Sequence, residues 1–137
     1  MSFGDRYHQS FQLMETLSAD ATRAIGRADG AIVVTACDVF NASNLATHAT
    51  NYVTFKLINL GTDGAGTTVI ATASTSQTTG SAMTAHKAFP LTVTAANKTV
   101  AAGETVGFIY DEATTDVANS HVINVVVRYQ QAGAPSN

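Results

Sequence analysis

The chain has 137 residues, a formal charge of −3, and only 12% charged side chains beside 45% hydrophobic ones. That length suits one domain, which can bury roughly two-thirds of its unfolded surface. A single cysteine, Cys37, excludes an internal disulfide framework and a cysteine zinc cluster. No apolar run approaches the roughly 20 residues of a membrane span. Seven scattered Lys and Arg offer no phosphate-tracking surface, so neither a nucleic acid nor a membrane is expected as a partner.

With 23 Ala, 20 Thr and no Trp, the weight lies on small and β-branched side chains, which suit strands. Residues 1–20 differ from the rest. Phe3, Tyr7 and Phe11 are spaced four apart, but Ser2, Gly4, Asp5 and Ser10 weaken a helix. The stretch reads as an extended N-terminal arm ending in a short strand near 13–17. Its start has no basic region followed by an apolar stretch, so no secretory signal is expected.

From residue 21 the pattern is β throughout. Residues 21–28 form a strand interrupted by Gly26, and Asp29-Gly30 turns the chain. Residues 31–40 form a strand with Ile32, Val34 and Ala36 facing one way and Val33, Thr35 and Cys37 the other. After a polar connection, 51–60 alternates, with Val53, Phe55 and Leu57 inward and Thr54 and Lys56 outward. The run Gly61-Thr62-Asp63-Gly64-Ala65-Gly66 reads as a hairpin needing positive φ, and 67–75 returns as its partner. A loop follows, then a strand over 86–94 that Pro90 consigns to an edge or a bulge. Residues 95–97 turn, 98–100 and 105–110 are strands, and 111–120 is an acidic loop. The strand at 121–130 puts Ile123, Val125, Val127 and Tyr129 on one face. Roughly seven or eight strands with short turns predict an all-β fold, an antiparallel β-sandwich of the jelly-roll type. The expected organisation is an arm over 1–20, the sandwich over 21–131 and a flexible C-terminal tail over 132–137.

No catalytic constellation emerges from the residues. His8, His48, His86 and His121 have no metal-ligand spacing and read as surface or loop histidines. Asp111, Glu112 and Asp116 could offer oxygens to an ion, but they lack calcium-loop spacing, and strand-end loops collect acids anyway. As a carboxylate pair for glycoside hydrolysis they fare worse, with no Trp to stack on a sugar. Cys37, among apolar neighbours, reads as a buried small hydrophobe rather than a nucleophile. The glycosylation sequons at Asn41 and Asn97 read as chance. No enzyme activity, cofactor or metal is therefore expected.

The runs NYVTFKLINLGTDGAGTTVIATAST, HKAFPLTVTAANKTVAAGETVGFIYDE and HVINVVVRY carry a resemblance. Together they resemble jelly-roll capsid decoration (cement) proteins of tailed bacteriophages, over about residues 20–130, in texture and order rather than through an invariant motif. The resemblance implies a structural virion protein on the outer surface of the capsid, made in the host cytoplasm. Its partner would be the major capsid protein, whose neighbouring capsomers it would staple together. It implies no catalytic residues. A homodimer is expected, with a homotrimer as the alternative. Phe3, Tyr7 and Phe11 are the expected partner-binding anchors, against a plainer reading in which the arm folds back over its own sandwich. A phage tail or fibre role and a carbohydrate-binding module are the competing readings, the latter lacking the usual Trp or paired exposed Tyr.

Overall fold

A computed structural model describes residues 8–113 and 121–132. Among them run nine strands: β1 His8–Leu17, β2 Ala21–Arg27, β3 Ile32–Asn41, β4 Val53–Gly61, β5 Thr68–Ser74, β6 Phe89–Val93, β7 Thr99–Val100, β8 Thr105–Glu112 and β9 His121–Gln131. The only helical piece among the described residues is the single 3₁₀ turn Ala95–Asn97, where a turn was expected. All the strand ladders are antiparallel.

The strands lie in the order β1-β9-β3-β6-β5-β4-β8-β2, with β7 added beside β3. The eight longer strands are also nested. β1 pairs with β9, β2 with β8, β3 with β6 and β4 with β5, like one long hairpin wound round a core. Where two separate sheets were expected, one sheet runs on and nearly closes into a barrel. The reason lies in β6, which serves both halves: Phe89 to Leu91 pair with β3, and Thr92 and Val93 pair with β5. Pro90 falls where β6 pairs with β3 alone, opposite Asp38. On its other side no β5 ladder is present to miss the absent N–H.

The two edges, β1 and β2, are consecutive in the chain and meet at a seam. Phe11 of β1 lies over Gly26 of β2 so closely that a Cβ at residue 26 would sit 2.5 Å from the ring. Beside it Arg23 Nε donates to the Glu15 carboxylate at 2.9 Å. β1 begins at His8, within the expected arm and five residues before the expected strand. A four-residue spacing is also a multiple of two, and the alternation that counts is Phe11, Leu13, Glu15 and Leu17 facing in.

The interior gathers around Phe55, whose ring centroid lies 5.9 Å from each of Phe89, Phe108 and Tyr110. Val53, Phe55 and Leu57 point inward as expected, as do Ile123, Val125, Val127 and Tyr129. Strand β3 departs from its expected parity. A bulge between Val34 and Ala36 shifts the phase, so Ile32, Val34, Cys37 and Val39 form the buried row. The extra residue, Thr35, turns out and its hydroxyl donates to the Arg128 carbonyl at 3.2 Å. In the β4–β5 connection Gly61 and Gly64 take the positive φ values expected of the hairpin, 72° and 79°.

Gly107 of β8 is buried, and a Cβ there would meet Leu60 side-chain atoms at 2.6 and 2.9 Å. Gly107→Ala should therefore overpack the interior and cost about 1–3 kcal/mol, read as a lower denaturation midpoint with an unchanged slope.

Candidate functional site

Of the three expected anchors, Phe3 and Tyr7 lie outside the described residues. Phe11 lies inside them and is engaged within its own chain. Its ring centroid is 4.5 Å from that of Tyr129, and its other side covers Gly26. β9 holds Tyr129 and β2 holds Gly26, so Phe11 bridges the seam from β1.

Among the described residues the large apolar side chains left exposed lie elsewhere, on the outer face of β1 and β9. Met14 is 72% exposed and Val122 47%. Across the strands Met14 stands opposite Asn124, and Asn124 opposite Phe40, which makes one row over three neighbours. A shallow depression of about 300 Å³ opens here, where Met14, Phe40, Ala42 and Val122 are joined by the polar Asn41, His86 and Asn124. His86 forms its rim with φ at 61°, a left-handed conformation costly for a residue with a Cβ. A long apolar side chain this exposed on a strand face gains nothing in the isolated chain.

A polar cluster sits at one end of the interior. His121 is buried, against the expectation of surface or loop histidines, because it shares the parity of Ile123 and Val125. That parity was readable in the sequence. The Asn41 amide nitrogen lies 3.2 Å from His121 Nδ1 and donates to it, which puts the ring proton on Nε2. The Tyr110 ring is 6.5 Å away. Burial holds the His121 pKa below its ordinary value, with the Glu112 carboxylate pulling the other way. Burial first, and then Glu112, push the Tyr110 phenol well above its usual range. The backbone N–H of Glu112 is itself held by Asp20 Oδ1 at 2.8 Å.

The remaining expectations are placed as follows. His48 sits in a loop, where Nδ1 accepts the backbone N–H groups of Thr50 and Asn51. Cys37 is buried, and burial, followed by Asp38, pushes its thiol up to about 12. A thiol so held supplies no thiolate near neutrality. Asp111 lies 3.8 Å from Lys56, while Asp116 falls outside the described residues. Among the described residues no three His, Cys, Asp or Glu side chains are gathered where they could hold a metal ion. Compared with protein-family models, curated proteins and solved structures, the chain matches none.

His121 generates a pH dependence. Its folded pKa is depressed, so the unfolded chain binds the extra proton first as pH falls through about 6.5. Thermal stability should drop between pH 7.5 and 5.5, and His121→Phe should flatten that slope. Melting curves at the two pH values, for both proteins, check this.

Proposed function

We propose that this chain is a structural virion protein that binds the outside of a capsid lattice and staples neighbouring capsomers. We also read its fold as a jelly roll. The nested pairing supports that reading, with the halves β1-β9-β3-β6 and β2-β8-β4-β5. Two Greek keys wound together generate such an order.

The observation that carries the binding role is the exposed apolar pair on the outer face of β1 and β9, Met14 at 72% and Val122 at 47%, beside Phe40 of β3. Low charge supports it, since few ions must be stripped of water when such a face meets another protein. A rigid strand face adds little backbone ordering cost on binding, and aromatic or methionine contacts are favoured at interface centres. The likeness to phage decoration proteins supplies the partner class, the major capsid protein.

The mechanism is mass action. A protein that binds the assembled lattice and not its free subunits stabilises the lattice by its binding free energy. A copy that touches two capsomers, or a homodimer doing so twice, also gains from effective concentration, so modest contacts sum to firm attachment. Phe3 and Tyr7 precede β1 and would add aromatic anchors to the same attachment.

Titrating purified protein onto capsids stripped of it tests the role. Met14→Glu combined with Val122→Glu should lower occupancy at least about tenfold, the cost of desolvating two carboxylates at an apolar contact. Unchanged occupancy would contradict the assigned face. Deleting residues 2–7, which spares β1, should lower occupancy as well; full occupancy would remove Phe3 and Tyr7 from the contact.

A further inference from the structure

The opposite side of the barrel carries a different surface. An open groove of about 630 Å³ crosses the outer face of β4, β5 and β6. Its floor is a set of hydroxyls placed by strand register: Thr54 stands opposite Ser74, and Thr72 opposite Thr92. One end is formed by Tyr52 and one side by Thr79, Gly80 and Ser81. No charged side chain lines it.

The side wall is built, not loose. Ser81 donates its backbone N–H to the Ser74 carbonyl at 3.1 Å, and Gly80 donates to the Ser76 carbonyl at 2.8 Å. Gly80 packs so tightly on the Ser74 carbonyl that no Cβ fits there. The wall thus stands against β5 before any ligand arrives, which lowers the ordering cost of binding. The floor hydroxyls keep capacity to spare. Thr72 donates to the Phe55 carbonyl, leaving its oxygen free to accept, and Ser74 Oγ accepts the Ser76 N–H, leaving its proton free to donate.

We propose that this groove binds a neutral polysaccharide. An uncharged wall of hydroxyls that both donate and accept matches a ligand made of hydroxyls. Lys56 stands beside Thr72 in the same row but is paired with Asp111 at 3.8 Å, so it is not a free cation for a phosphate, sulfate or uronate. Tyr52, with the ring carbons of Pro90, gives the apolar contact that the C–H face of a sugar ring requires. A peptide strand is the poorer match, because the groove crosses a sheet face and its floor presents side chains rather than an open backbone edge. Of the two aromatic residues in the lining Phe89 is buried, so with Tyr52 alone accessible single-site affinity is weak, and multiple copies on one particle would raise it by avidity. The reading concerns the isolated chain and stands apart from capsid attachment.

Affinity gel electrophoresis of the full chain tests it, with dextran, mannan and galactan as neutral probes and alginate as the acidic one. At least one neutral polymer should retard the protein and alginate should not. The double variant Thr54→Val with Thr92→Val keeps strand-favouring shape while removing two hydroxyls. It should weaken retardation about tenfold, as should Tyr52→Ala, while Met14→Glu on the far face leaves it unchanged. Melting curves confirm that each variant is folded, and if Tyr52→Ala is not, the double valine variant decides. Passage unretarded through all three neutral gels, equal retardation by alginate, or retardation untouched by the valine pair would overturn the proposal.

Discussion

The near-closure of the sheet on itself is the constraint on which the rest of this molecule depends. β1 and β2 are its two edges, and residues 18–20 are all that separate them in the chain. No ladder joins them among the described residues, so side chains must cover a seam whose backbone would otherwise lie open to any passing strand. Two contacts draw them together, and their magnitudes differ. The Glu15–Arg23 pair is partly exposed, with side-chain exposures of 29% and 44%, and such pairs contribute about 0–1 kcal/mol. Phe11, seated between Gly26 and Tyr129, removes a phenyl ring from water and is worth about 1.5–3 kcal/mol if fully covered, less in proportion to the part left exposed. The apolar contact dominates, and it requires glycine on the facing strand.

Closure then frees the outer surfaces for other work. With one interior filled by Phe55, Phe89, Phe108 and Tyr110, the outward-facing side chains carry little of the folding energy and their chemistry can vary. They have diverged between the two sides. Around Met14, Phe40 and Val122 the face is shallow and apolar save for Asn124 and its neighbours Asn41 and His86, while around Tyr52, Thr54 and Thr92 it is hydroxylated and grooved. A rigid body with two unlike faces can hold a lattice with one and meet a different ligand with the other. Cys37 and His121 sit inside and serve packing.

Much of this was legible in the sequence because the strands alternate cleanly. Val53-Thr54-Phe55-Lys56-Leu57 declares its inner face, and so does Ile123 to Tyr129. Gly61 and Gly64 declare the hairpin between β4 and β5. The misreadings share a cause. A bulge at Val34 to Ala36 inverts parity midway through β3, and no residue type there announces it. The double allegiance of β6, which turns two sheets into one, depends on where β3 and β5 end in space. The early start of β1 depends on β9 offering it a partner along its whole length. Surface sites were the least legible. Met14 and Phe40 lie on different strands, and the groove needs Ser81 brought beside Ser74 by a turn, so neither forms a motif along the chain.

Electron cryo-microscopy of intact particles at side-chain resolution tests the central claim most directly. The account predicts copies of this barrel on the exterior, bridging adjacent capsomers, with Met14, Phe40 and Val122 buried against the capsid and the Tyr52 groove turned to solvent. Copies confined to the tail, or seated on the shell with Met14 and Val122 facing water, would contradict it.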